Sequence, residues 1–500
     1  MDIEKQILKS ITKECEKLIA RHHSYHNHLH NEWKRNSKRI SGAPAKTIQT
    51  PEYWQADKKF NPFYVKSNAK AIAKSIARKI RSATYTPAEP FKKKIPKSSG
   101  GERELTIYQI PDAAVSQYFY TRLLAKNRHR FSSFSYAYRN DRNVHFAIQD
   151  IAVDLSLDAR TFIAEFDFSD FFGSIDHDFL FAQLHANGFL ISEEEETVIR
   201  AFLLSRGKGI PQGTSISLFL ANLVCWKLDK SFEKNGLKFA RYADDTVVWS
   251  QDYAAVCRSF SLIDGFSREA KVPINAKKSD GISLLARKGL PTEISSKSEF
   301  NFLGYAIGVD RISIRKKSEE RIKKQISYLL YRNLIQPLKS TPLRGLIIPA
   351  NGKDKALLIA IMQIRRYLYG GLLHRDISDY IKGRNKKLTF KGVMSFYPLI
   401  DDHEQLKKLD GWLVSVVHRC LKLRSELLIS HGYSRAHSFP FNVTRNDLVQ
   451  QFRKRRIENK RLLELPSFTL IYKALKKGLK ETGIEQVMHP ESTKYQYLGQ

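Results

Sequence analysis

The stretch FARYADDTVVWS, residues 239–250, sets two adjacent carboxylates, Asp244 and Asp245, between two runs of aromatic and β-branched residues. Such flanks have the composition of strands, so the acidic pair falls where a hairpin turns. Neighbouring anions repel, and something must offset that repulsion. An exposed hairpin tip, with Asp chosen for its turn chemistry, is the plain explanation of an isolated pair. A divalent-metal site is the functional one, and it needs hard oxygen ligands from a second segment. FIAEFDFSDFFGSIDHDFL, residues 162–180, offers that segment, because a strand-like run delivers Asp167 just ahead of Phe171 and Phe172.

The rest of the chain suits a polyanionic partner. Its 500 residues carry 84 Lys and Arg against 51 Asp and Glu, a net charge of +33, for which nucleic acid is the first candidate. With 42% hydrophobic residues it can bury several cores. No stretch approaches the roughly 20 apolar residues that span a bilayer, and MDIEKQILKSITKECEKL reads as an amphipathic helix rather than a signal peptide, so a soluble, intracellular protein is expected. Cys15, Cys225, Cys257 and Cys420 lie far apart without CxxC spacing, which argues against a disulfide framework or a zinc ribbon.

Along the chain, residues 1–60 read as a helical extension containing His22, His23, His26, His28 and His30. Helical spacing puts His22, His26 and His30 on one face, which permits a metal and equally a solvated or RNA-facing polar surface. NAKAIAKSIARKIRS, 68–82, spaces Ile72, Ile76 and Ile80 by four, with Lys70, Lys74 and Arg78 on another face, the pattern of a buried helix with a basic outside. IPKSSGGERELTIYQIP, 95–111, predicts a hairpin turning at Ser98 to Gly101 with Lys97 and Arg103 facing each other, two cations that could grip a phosphate. From Phe162 to Tyr305 strands and helices alternate in an α+β manner, with a helix at SISLFLANLVCWKLDKSFEK; from about Lys316 to Leu428 the pattern is helical. Residues 445–480 carry eleven Lys and Arg against three acids and, like 58–104, form a basic stretch that suits structured RNA or plain solvation.

These segments together resemble a family. The stretch around Asp167 resembles motif A of reverse transcriptases, and YADD, 242–245, resembles their motif C; between them KGIPQGTSISLFLAN, 208–222, is similar to motif B. VPINAKKSDG, 272–281, is similar to motif D and FNFLGYAIG, 300–308, to the primer grip of motif E; the 95–111 hairpin and FSSFSYAYRNDRN, 131–143, resemble the finger motifs. Seven motifs in order over about residues 60–310 carry far more weight than any one of them. PEYWQADKKFNPFYVKSNAKAIAKSI, SYAYR and the long helical C-terminal part look similar to bacterial defence-associated reverse transcriptases of the unknown-group and abortive-infection type.

The resemblance implies an α+β right-hand polymerase: a helical extension at 1–60, fingers at 61–160, a palm with part of the fingers at 161–310, a helical thumb-like domain at 311–430, and a basic C-terminal region with its tail at 431–500. It implies RNA-directed DNA synthesis with two Mg²⁺ ions, for which Mn²⁺ can substitute, held by Asp167, Asp244, Asp245 and the Phe168 carbonyl. Phe172, five residues after Asp167, would exclude a 2′-hydroxyl. Gln212 and Gly213 would meet the incoming dNTP, with Lys97 and Arg103 on the triphosphate and Lys278, or the adjacent Lys277, donating a proton to pyrophosphate. Phe302, Leu303 and Gly304 would form the primer grip. Implied partners are an RNA template, a structured non-coding RNA among them, dNTPs and the DNA product, with no membrane, in a cytoplasmic antiphage role; self-association is left open. Protein priming would need a mobile hydroxyl, for which Tyr495 and Tyr497 in HPESTKYQYLGQ are the candidates. Only 70 residues follow position 430, too few for an RNase H domain, and there is no Cys/His endonuclease pattern. The alternatives are a template-independent nucleotidyl transferase on the same palm and a catalytically silent RNA-binding scaffold.

Overall fold

Five strands drawn from residues 160–297 pair into the sheet that carries the acidic residues. The computed structural model describes residues 2–96, 102–277, 279, 281–287, 289–292, 294–339 and 354–488. Lys97, Lys278, Tyr495 and Tyr497 lie outside the described residues, and Arg103 is described in its backbone alone. The chain divides into two units, residues 2–25 with 49–299, and residues 26–48 with 300–488.

In the first unit, β1 (Phe91–Pro96) and β2 (Glu102–Ile107) form the expected antiparallel hairpin. Its register sets Arg103 opposite Ile95, not opposite Lys97, which corrects the expectation that the two cations face each other across the ladder. The main sheet holds β3 (Arg160–Phe166), β4 (Lys238–Tyr242), β5 (Asp245–Ser250), β6 (Gly281–Ala286) and the short β7 (Ser296–Lys297), in the order β4-β5-β3-β6-β7. The central strand β3 is antiparallel to both neighbours, and its apolar residues Ile163, Ala164 and Phe166 are buried, with the successive Ile163 and Ala164 on opposite faces of the sheet. The helix Ser215–Lys234 starts inside the motif B stretch, just after its PQG, and contributes Phe219, Leu220, Leu223, Val224, Leu228 and Phe232 to the core, joined by Val256, Ile263 and Phe266 of the helix Tyr253–Ala270. The helix Ala69–Arg81 buries Ala73, Ile76, Ala77 and Ile80 and turns its lysines outward, as its periodicity predicts.

The long helix Ile3–Ser37 buries Ile3, Ile7, Ile11 and Cys15 at four-residue spacing. Its histidine face is used for packing: His22 lies against Trp54 and Phe63 with ring centroids 5.4 and 5.9 Å away, and His30 stacks on Trp33 at 5.7 Å. No group of three or more His, Cys, Asp or Glu that could hold a metal forms among the described residues. All four cysteines are free thiols.

The second unit has a three-stranded sheet, β10-β9-β8, from β8 (Glu299–Phe302), β9 (Tyr305–Gly308) and β10 (Ile312–Ile314), followed by helices. A π-helical turn, Tyr331–Ile335, follows the helix Lys316–Leu330. Within Lys355–Ile381 an 18-residue stretch has mean hydropathy 1.2, apolar enough to cross a membrane by composition, but half of that stretch is buried. The helix Lys355–Tyr369 ends at Gly370, whose φ of +72° reverses the chain, so the apolar stretch is two short helices rather than one span. Asp354 and Arg424, each 2% exposed, form a buried pair at 2.8 Å in this unit.

Candidate active site

A two-residue turn joins β4 to β5. Tyr242 pairs with Asp245, leaving Ala243 and Asp244 at the tip, with Ala243 in the left-handed region at φ +61°. The β3–β5 ladder ends with Phe166 paired to Thr246, so Asp167 and Asp245 are each the next residue past that pair, and Asp244 lies one residue further into the turn. Asp244 in the turn, Asp245 at the start of β5 and Asp167 just past the end of β3 thus stand at one end of the sheet.

Asp167 is 8% exposed and is held from the motif D segment. The side-chain amide of Asn275 donates to its Oδ2 at 2.7 Å, and the Asn275 backbone N–H donates to its carbonyl at 2.8 Å. Phe168 bridges Ile274, and that bridge uses the Asp167 carbonyl and the Ser169 N–H (to the Pro273 carbonyl, 2.8 Å), not the Phe168 carbonyl. In NAKKS the asparagine ahead of the lysines bonds Asp167, and the Asp167 N–H donates to Ser279 Oγ at 3.4 Å; Lys278 lies outside the described residues.

Beneath the turn lies a second feature that the sequence did not announce. Arg241 and Asp229 are both fully buried, with Nε and Nη2 of the guanidinium donating to the two carboxylate oxygens at 2.6 Å each. Arg241 also donates from Nη1 to the Ala243 carbonyl at 2.9 Å and from Nη2 to Ser135 Oγ at 2.7 Å. Burial opposes the charge of Arg241, but Asp229 outweighs it and pushes the guanidinium pKa up. One side chain therefore ties the turn bearing Asp244 to the helix Ser215–Lys234 and to the 131–138 segment, whose backbone also bonds to β4 through Tyr136 N–H to the Arg241 carbonyl and Arg241 N–H to the Phe134 carbonyl, 2.9 Å each.

The PQG loop sits against β2 and against the turn after β3. Thr106 N–H donates to the Gln212 carbonyl at 3.0 Å. Gly213 has φ +111°, and a Cβ there would fall far inside van der Waals contact of the Thr106 carbonyl oxygen. The close approach that requires glycine is thus made by the chain's own β2. Upstream, Ile210 N–H donates to the Phe172 carbonyl and Gly209 N–H to the Ile175 carbonyl, both at 2.7 Å. Phe171 is buried in the core, whereas Phe172 is half-buried, its ring edge-on to Tyr138 at 6.4 Å. Asp170 takes a left-handed φ of +46°, and its carbonyl accepts from Gly173 and Ser174 at 3.0 Å each; Asp176 caps the helix His177–Ala186.

In the second unit, Leu303 (φ +49°) and Gly304 (φ +91°) form the tip between β8 and β9, with Phe302 buried before it. Leucine at positive φ is a costly conformation, one that clusters at functional turns.

The donors Asp167, Asp244 and Asp245 are hard oxygens, the chemistry that Mg²⁺ selects. Among the described residues these three carboxylates are not drawn together into a group that could hold an ion; Mg²⁺ sites of this donor type take further oxygens from substrate phosphates and water.

Residues 95–307 match the family model described as reverse transcriptase (RNA-dependent DNA polymerase). The retron Ec86 reverse transcriptase of Escherichia coli is 27% identical over 175 residues, covering 34% of this chain and 49% of that protein. The chain therefore spans about half the length of the curated relative it matches. Among solved structures, apo telomerase from Candida tropicalis has a TM-score of 0.36 at 11% identity, covering 93% of this chain and 68% of that one. Telomerase from Candida albicans in complex with a TWJ fragment of telomeric RNA has a TM-score of 0.36 at 13% identity, covering 77% and 68%.

Proposed function

We propose that this chain, whose residues 95–307 match the reverse transcriptase family model, is an RNA-directed DNA polymerase. The observation that carries this function is that Asp167 directly follows the last pair of the β3–β5 ladder, Phe166 with Thr246, at the end where Asp245 begins β5 and Asp244 stands in the turn, inside the matched region. Two Mg²⁺ ions, when bound by Asp167, Asp244, Asp245 and the Phe168 carbonyl, would supply activation of the primer 3′-hydroxyl and neutralisation of the pyrophosphate. The chain's own residues do the rest. Asn275 orients Asp167, and Arg241 fixes the turn that presents Asp244. The half-buried ring of Phe172 excludes a 2′-hydroxyl and so selects deoxynucleotides. Gln212 and Gly213 line the dNTP site, Lys97 and Arg103 hold its triphosphate, Lys278 protonates the departing pyrophosphate, and Phe302, Leu303 and Gly304 grip the primer.

The template in this proposal is an associated structured non-coding RNA, and the setting is antiphage defence in the cytoplasm. Support comes from the likeness to defence-associated enzymes and from the match to a retron reverse transcriptase. Priming on Tyr495 or Tyr497 belongs to the same proposal. Protein purified with its bound nucleic acid should incorporate labelled dNTPs with Mg²⁺, should lose that activity after RNase pretreatment, and should show a protease-sensitive product if tyrosine primes. Incorporation that survives RNase would point instead to a template-independent transferase, and RNA binding without incorporation to a scaffold.

A further inference from the structure

Residues 58–81 contain eight Lys and Arg and no Asp or Glu. Their function is not absorbed by the candidate active site. The helix Ala69–Arg81 buries its apolar face, so its cations have only one direction left. Lys70, Lys74 and Arg78 are exposed at i, i+4 and i+8, about 6 Å apart along the helix. None of the three has an ion-pair partner among the described residues, whereas Arg81 pairs with Asp2 at 3.0 Å and Lys66 with Glu16 at 3.3 Å. An evenly spaced row of cations left without counter-charges attracts a polyanion more strongly than paired surface charge does.

Just before this row stands an exposed ring. Phe63, 40% exposed, is backed by Trp54, His22 and His23, with ring centroids 6.2, 5.9 and 6.2 Å away. These rings fix its orientation and leave part of its surface to solvent. A rigid exposed ring followed by unpaired cations at regular spacing is the combination that holds single-stranded nucleic acid, a base stacking on the ring and phosphates on the cations. We propose that Phe63 with Lys70, Lys74 and Arg78 forms a track for single-stranded RNA. The proposal rests on RNA-directed synthesis for its choice of RNA, and it assigns this surface to template RNA outside the catalytic carboxylates. Duplex RNA fits less well, because its bases are stacked internally and cannot use the ring.

The test compares the full-length protein, the triple variant Lys70→Gln/Lys74→Gln/Arg78→Gln and Phe63→Ala, each binding a short unstructured RNA across a salt series. All four side chains are exposed or half-exposed; an unchanged thermal melt confirms that the variants fold. Removing three phosphate contacts should flatten the slope of log affinity against log salt by about 2. Phe63→Ala should weaken binding about 5- to 100-fold with the slope unchanged, and should leave binding of a perfectly paired RNA hairpin untouched. Unchanged slope and affinity in the triple variant would overturn the track. Equal losses by both variants on the hairpin would overturn its single-strand preference. Extension of an annealed primer by the unmodified protein, run in parallel, keeps the two questions apart: extension with no effect of the variants on binding overturns the track alone.

Discussion

Substituting Asp229→Asn should destabilise the first unit far more than its distance from the carboxylates suggests. Arg241 and Asp229 have no solvent exposure, and Asp229 supplies both of the 2.6 Å bonds that neutralise the guanidinium. The asparagine is nearly isosteric but uncharged, and one of its two head atoms is a donor facing a donor. Removing one partner of a buried pair leaves the other charge uncompensated, an effect of about 3–5 kcal/mol. Urea unfolding followed by circular dichroism should therefore show a lower midpoint with an unchanged slope, equivalent to a loss in that range. Polymerase activity at a urea-free, fully folded temperature should also fall, because Arg241 holds the Ala243 carbonyl of the turn that carries Asp244. The double variant Asp229→Leu/Arg241→Met should recover much of the stability and little of the activity, since apolar replacement removes the stranded charge but not the need to hold the turn. A loss below about 1 kcal/mol in Asp229→Asn would refute the idea that the pair is charged and tightly coupled.

Other expectations follow from the same geometry. Gly213→Ala should strain both φ and the contact with the Thr106 carbonyl, at about 2–5 kcal/mol for positive φ plus overpacking, and should raise KM for dNTP by shifting Gln212; a normal KM would contradict that placement. Asn275→Ala should raise the Mg²⁺ concentration for half-maximal synthesis by about 10- to 100-fold, read from a metal titration, whereas a purely structural asparagine would leave it unmoved. In the second unit, burial and the nearby Arg365 and Arg453 push the His374 pKa down to about 4. Its unfolded value is near 6.5, so the unfolded chain binds more protons between those values and stability should fall as pH drops from about 6.5 towards 4; His374→Asn should flatten that part of the melting profile, and an equally steep profile would contradict it.

The sequence made the acidic hairpin, the central strand, the motif B helix and the basic amphipathic helix legible because each is written in local periodicity. It pointed to Asp167 and to the Asp244–Asp245 pair through the type of their flanks. What it did not show were the partners. Arg241 finds Asp229 twelve residues away and Ser135 106 residues away, and Asn275 finds Asp167 across 108. No single-sequence pattern encodes such pairings. A signal was present in retrospect, since Arg241 stands in an apolar strand and Asp229 in an apolar helix, and charges in such settings are seldom buried unless paired. For Gly213 the need for close approach was legible, but its object, the Thr106 carbonyl, was not. In the 95–111 hairpin the pairing of two strands was legible, yet the register was not: Arg103 lies opposite Ile95.

The most direct measurement is extension of a DNA primer on a defined RNA template by the full chain with Mg²⁺, compared with Asp244→Asn under the same conditions. Template-encoded dNTP incorporation by the unmodified protein, abolished in Asp244→Asn while RNA binding persists, is the predicted result. Extension that continues in the variant, or RNA binding by the unmodified protein with no extension at all, would contradict a polymerase site built on Asp167, Asp244 and Asp245.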